Sequence, residues 1–284
     1  MRKTKVRSED RGPNILTREY QRANLPILTE VLFAAELVLL HAAPIYYGLG
    51  TPHGDGSAVV LIPAFLCPDH YLFPLQKWLG RIGYEAFFSG ISLNTECPNL
   101  LIQRCLNETM EKALAKTGRR VHLIGHSLGG VIARSMAGQR PQDIASVITL
   151  GAPFRGTVAH SSILRAAETV RRRILKKHGT GVLPACYTGH CTCDFVDSLQ
   201  RRVPPSVLET AVYTPDDGVV DWRYCRTNNP ESDFAVSGTH IGLAFNSSVY
   251  TIIANRLAQT HYAQSKRKPR GDRVRPLGCV VGSS

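Results

Sequence analysis

Gly125-His126-Ser127-Leu128-Gly129 sets one hydroxyl between two glycines. An apolar run, Val121-His122-Leu123-Ile124, comes before it, and a helix-like stretch, Val131 to Gly138, follows. G-x-S-x-G between strand and helix is the pattern of a nucleophile elbow. The turn is sharp enough to expose the serine hydroxyl, and Gly125 and Gly129 let strand and helix pass closely. The Leu128 amide then opens the helix, where it can donate to an oxyanion. The pentapeptide alone also fits an ordinary strand-to-helix turn, so the partners decide.

A serine nucleophile needs a base, and the base needs an orienting acid. In one known chain order these follow the serine as acid, then histidine. Thr210 to Thr214 reads as a strand leading into Pro215-Asp216-Asp217-Gly218-Val219-Val220-Asp221. Phe234-Ala235-Val236 reads as another, leading through Ser237-Gly238-Thr239 to His240. Among the 10 histidines, His240 alone follows both serine and acid from the end of a strand. His126 lies inside the elbow and His122 inside the preceding strand. Asp217, directly before Gly218-Val219-Val220, is the preferred acid. Asp216 as a turn residue and Asp221 as a helix cap stay open as alternatives. Ala58 to Ile62 is a continuous apolar run, as in a buried parallel strand. It runs into Pro63-Ala64-Phe65, where the Phe65 amide is the second oxyanion donor expected.

With these residues in order, the chain resembles a bacterial α/β-hydrolase of the lipase/esterase type. The likeness runs from about Ala58 to Leu257. It includes the elbow, Leu150-Gly151-Ala152-Pro153-Phe154-Arg155-Gly156-Thr157, and the Asp217 and His240 neighbourhoods. The His-Gly pair of many lipases is replaced by Pro63-Ala64. The resemblance implies an α/β-hydrolase fold, a mostly parallel sheet flanked by helices. It implies Ser127, Asp217 and His240 as the triad, and leaves the substrate unspecified.

These residues need a sheet to hold them. Tyr84 to Phe88, Val121 to Ile124 and Ser146 to Gly151 read as strands, alternating with helical patterns over Leu100 to Lys116 and Ser127 to Gly138. A hydrolase domain is expected over residues 51–262, with a cap or lid inserted at about 156–205. Residues 1–24 form a basic arm and 263–284 a basic tail. Residues 25–50 hold an apolar segment in which Glu30, Glu36, His41 and Pro44 argue against a membrane span. An amphipathic helix packed on the body is expected there, and a cytoplasmic location, with peripheral membrane contact as the lesser alternative.

The net charge is +12, of which residues 1–12, 165–177 and 264–275 carry +3, +5 and +5. The body is therefore near neutral, and no nucleic-acid partner is expected. In the cap, Ile163, Ala167, Val170 and Ile174 recur at helical spacing, opposite Arg165, Arg171, Arg172, Arg173, Lys176 and Lys177. That basic face reads first as solvated, and second as a contact for anionic lipid. Of 8 cysteines, Cys186, Cys191 and Cys193 cluster with His190 without matching a zinc knuckle. A cap disulfide, with Cys225 as one candidate, is the other option. Cys105 is expected to pack in its helix. No cofactor or metal is expected. The sequence thus leads to a serine hydrolase cleaving small-molecule or lipid esters. Phospholipase, acyltransferase and non-catalytic binding readings stand as alternatives.

Overall fold

The computed structural model describes residues 21–187 and 190–265. Its main sheet contains β2 (Ala58–Ile62), β3 (Glu85–Phe88), β4 (Val121–His126), β5 (Ile144–Leu150), β7 (Leu208–Tyr213) and β8 (Asp233–Ala235). These 6 strands are all parallel, in the order β3-β2-β4-β5-β7-β8. A separate parallel pair joins β1 (Gln21–Ala23) to β6 (Val158–His160).

Strands β2, β4 and β5 are buried at every position. Alternate side chains point to opposite faces, so a strand covered on both sides must be apolar throughout. Val59, Leu61, Ile124 and Ile148 pack on one face against Trp78 and Leu79 of α2 (Phe73–Arg81) and Tyr250 and Ile253 of α8 (Ser247–Ser265). Val60, Ile62, Leu123 and Val147 pack on the other against Ile132 and Met136 of α5 (Leu128–Gln139). Behind them, α3 (Pro98–Leu101) and α4 (Asn107–Thr117) are joined by a π-helical turn, Ile102–Leu106. The helix expected over 100–116 is therefore interrupted. Cys105 sits in that turn and packs against the core.

The N-terminal apolar segment is not one helix. A 3-10 turn (Ile27–Leu32) leads into α1 (Phe33–Ala42), and extended Ala43 separates α1 from a second 3-10 turn, Pro44–Tyr47. A residue before proline disfavours helical backbone, which explains the break. The segment also faces unexpectedly. Glu30 is buried at 5 % exposure, while Leu28 is 82 % exposed, with Val31, Leu32, Val38 and Leu39 also outside. Leu40 alone of the later leucines is fully buried. No helix among the described residues is long and apolar enough to cross a membrane. Most of the arm expected over 1–24 and of the tail over 263–284 lies outside the described residues; the arm's last residues form β1.

The insertion between β5 and β7 divides in two. Helix α6 (Ser161–His178) turns Val170 and Ile174 into a buried cluster with Cys97 and Cys186. Its Arg165, Arg172, Arg173, Lys176 and Lys177 are exposed. Helix α7 (Asp194–Gln200) instead joins the main core through Phe195, Val196 and Leu199. It is part of the body rather than a detachable lid. Leu199→Ala should therefore cost about 2–5 kcal/mol, as for a core leucine. Urea unfolding would read this, and a loss well under 1 kcal/mol would mean α7 is a surface element.

Candidate active site

Ser127 links β4 to α5 with φ 52° and ψ −121°. Positive φ at a non-glycine residue stores strain of roughly 1–3 kcal/mol. The surroundings hold it there. Its N–H donates to Leu150 O at 2.8 Å, and its carbonyl accepts from Gly130 N at 2.9 Å. A Cβ on Gly125 would lie 2.5 Å from Gly130 N, and one on Gly129 2.5 Å from Pro63 O. Only glycine lets α5 begin this close to the ends of β4 and β2.

His240 follows β8 and Asp217 follows β7, and both are buried. His240 Nδ1 lies 2.6 Å from Asp217 Oδ2. Asp217 Oδ1 accepts the amides of Val219 (2.9 Å) and Val220 (2.8 Å), which fixes the carboxylate. With Nδ1–H donating to Asp217, Nε2 is the nitrogen left as base. The ring lies against Gly151, where a Cβ would come 3.0 Å from Nδ1. Gly151 adjoins Leu150, which holds the Ser127 amide, so base and elbow share one anchor. The competing acids are occupied otherwise. Asp216 is exposed, and Asp221 pairs with Arg223 at 2.6 Å. Burial pushes the His240 pKa down, but the charge and hydrogen bond of Asp217, and then the charge of Glu30, raise it overall.

In the loop after β2, the amides of Ala64, Leu66 and Cys67 donate to Tyr71 Oη, Asn94 O and Ala64 O. The Phe65 amide has no protein acceptor among the described residues. The Leu128 amide opens α5 and has no intrahelical acceptor. Phe65, Ser127 and Leu128 line one cavity of about 170 Å³, walled by apolar Phe154, Leu164 and Phe195.

His126 has a place that the sequence did not suggest. Tyr71 Oη lies 2.6 Å from His126 Nδ1, and His126 Nε2 lies 2.9 Å from His240 O. Tyr71 Oη already accepts from Ala64 N, so its hydroxyl donates to Nδ1 and His126 Nε2–H donates to the His240 carbonyl. This chain joins the loop after β2 to the loop after β8 through the elbow. Tyr71 stands in a 3-10 turn, Asp69–Leu72, with no local signal of that role.

The cysteines are arranged differently from expectation. Cys97, from the body, meets Cys186 of the insertion in one buried cluster at the cavity wall. The hydrogen bond from the Cys186 thiol lowers the Cys97 pKa, against burial, which raises it. Cys191 Sγ and Cys193 Sγ lie 3.4 Å apart. Cys225 belongs to another buried cluster, with Ala159, Tyr213 and Val220, so a bridge from it to the cap cysteines finds no support. No cluster of metal-ligating side chains occurs among the described residues.

Burial and the nearby His240 lower the His126 pKa to about 3. An unfolded histidine titrates near ~6.5. Between these values the unfolded chain binds a proton that the folded chain refuses. This contribution to stability is complete above ~6.5 and is lost as pH falls, by about 1.4 kcal/mol per pH unit. Urea unfolding at pH 7 and pH 5 should differ by roughly 2 kcal/mol through this group. His126→Gln should flatten that slope, and an unchanged slope would refute the assignment.

Residues 85–180 match the family described as a PGAP1-like alpha/beta domain. Over 90 residues the chain is 49 % identical to a triacylglycerol lipase of Pseudarthrobacter phenanthrenivorans, covering 31 % of this chain and 28 % of that protein. It is also 49 % identical over 90 residues to a triacylglycerol lipase of Burkholderia plantarii, covering 31 % and 25 %. The matched stretch is thus about a quarter of the length of these relatives. Among solved structures, a Paleococcus ferrophilus monoacylglycerol lipase aligns with a TM-score of 0.48 at 12 % identity, over 74 % of this chain and 97 % of that one. A soluble variant of the Saccharomyces cerevisiae monoglyceride lipase aligns with a TM-score of 0.46 at 17 % identity, over 78 % and 89 %. The parallel sheet and the elbow give the chain an α/β-hydrolase fold, and about a third of it is similar to triacylglycerol lipases.

Proposed function

We propose that the protein is a serine hydrolase of carboxylic esters, with Ser127, Asp217 and His240 as its triad. The observation that carries this is the 2.6 Å Asp217–His240 pair lying against Gly151, the neighbour of Leu150, which accepts the Ser127 amide. In the reaction, His240 Nε2 takes the Ser127 proton as Oγ attacks the ester carbonyl. The Leu128 and Phe65 amides receive the oxyanion, each such donor being typically worth about 3 kcal/mol of barrier. Asp217 stabilises the imidazolium, which protonates the leaving alcohol. Water activated by His240 then releases the acid from the acyl-enzyme. The apolar walls at Phe154, Leu164 and Phe195 suit an acyl chain, consistent with a lipid ester as substrate.

The test is hydrolysis of p-nitrophenyl esters of graded acyl length. Ser127→Ala should abolish turnover. Asp217→Asn should lower kcat by about 10⁴-fold, since an asparagine favours the wrong imidazole tautomer. Asp216→Asn should leave kcat within about twofold, as an exposed substitution. Full activity in Ser127→Ala, or equal losses at Asp216 and Asp217, would sink this reading.

A further inference from the structure

The segment at 27–42 lies upstream of the hydrolase body, yet it reaches both halves of the acid–base pair. Glu30 Oε1 accepts the amides of Gly218 (2.9 Å) and His240 (3.1 Å). Its Oε2 accepts the amide of Ile241 at 2.8 Å. Gly218 directly follows Asp217. One carboxylate therefore joins the acid loop to the base loop through three backbone donors. The approach is close, because a Cβ on Gly218 would lie 2.8 Å from Glu30 Oε1. Glu36 of α1 adds a second hold on the base loop, accepting the Thr239 amide at 3.0 Å and its hydroxyl at 2.7 Å.

A carboxylate taken out of water is costly unless its lone pairs are filled. Three amides fill those of Glu30. A leucine there would match its exposed neighbours Leu28 and Leu32 but would leave three buried donors without acceptors. The residue thus has a definite task, and its position says which one. The Asp217–His240 distance depends on two irregular loops, and Glu30 spans both.

We propose that Glu30 is a positioning residue for the Asp217–His240 pair, fixing the separation of their loops and adding negative charge near the imidazole. The proposal rests on the ester-hydrolase reading above. Four charged or titratable groups face His240 from the elements around it. They are Asp217 from the acid loop, Glu30 from the 27–32 turn, His126 from β4, and Glu36 from α1 by way of Thr239. Burial pulls the His240 pKa down, and Asp217 and then Glu30 act to raise it. A base must be neutral to act, so activity fades as pH falls through that pKa. Loss of the Glu30 charge moves this acid limb to lower pH.

Wild type, Glu30→Gln and Glu30→Asp would be compared by kcat, KM and the pH profile of kcat/KM on one p-nitrophenyl ester. Glu30→Gln removes the charge and one acceptor. It should lower kcat at least about tenfold with KM little changed, as for a misplaced catalytic group. Its acid limb should lie below that of wild type. Glu30→Asp keeps the charge but draws it back by one methylene, so kcat should fall while the acid limb stays. A folded Glu30→Gln with wild-type kcat and acid limb overturns the proposal. Wild-type kcat in Glu30→Asp does so too. Failure of both variants to fold assigns Glu30 to stability alone and also overturns it. Fluorophosphonate labelling of Ser127 in wild type tests the underlying reading separately. An unlabelled, inactive wild type refutes that reading, and the role of Glu30 with it.

Discussion

A serine at φ 52° and ψ −121° keeps that backbone only while its neighbours forbid relaxation. Relaxation would tilt α5 away from β4 and draw the hydroxyl back into the turn. The structure blocks this from three sides. The amide of Ser127 is bound to the end of β5, the adjacent parallel strand. Gly125 and Gly129 let the helix start against backbone rather than side chains. Residues Gly129 to Ala137 of α5 are buried, so the helix cannot swing outward without opening the core. The strain is small beside the packing that opposes it. Ser127 is thus the stiff part of the site.

Asp217 and His240 stand on softer ground, since neither lies within a strand or helix. Hydrogen bonds replace regular structure in holding them. Asp217 is fixed by two amides of its own loop, and Thr214 Oγ1 donates to Gly238 O at 2.7 Å, tying the two loops together. His126 holds the His240 carbonyl from the sheet side, and Glu30 holds the His240 amide from the other. Buried polar groups are tolerable only when paired, and these are. The charges also divide consistently. The His126 pKa is lowered while that of His240 is raised, so His240 is the imidazole of the two that takes up a proton more readily.

The elbow could be read from the sequence because its causes are local: an apolar strand, a small residue on each side of the serine, and a helix. Strands β2, β4 and β5 were equally legible, since burial of both faces leaves an unbroken apolar run. Chain order pointed to His240. Asp216 and Asp217 are neighbours of one residue type, and only the fold decides which of the two carboxylates is buried. Longer-range partners left no local trace. Glu30 lies 210 residues from His240, and His126 lies 55 from Tyr71. In residues 25–50 the usual rule holds only in part, because Phe33, Leu37, Leu40 and Tyr46 pack inward while Leu28, Val31, Leu32, Val38 and Leu39 stand outside and the carboxylate of Glu30 is buried. Helix α7 escaped notice for a related reason. Its apolar residues sit in a stretch whose length suggests a cap, and only their contact with α5 and α3 makes them core.

The oxyanion loop connects these two regimes. Phe65 lines the cavity, and its ring packs with Val170, Ile174 and Cys186 and lies 6.2 Å from the Tyr187 ring. Helix α6 is thus joined to Phe65, the proposed oxyanion donor, as well as to the cavity wall. At its far end Lys177 and His178 meet Glu96 at 2.7 and 2.9 Å. Against burial, which raises it, these partners lower the Glu96 pKa to about 2. Glu96 directly precedes Cys97, the body's thiol in the same seam. Displacing α6 would therefore expose the cavity and loosen Phe65 in one motion. The cavity wall and the proposed oxyanion donor are held by the same packing.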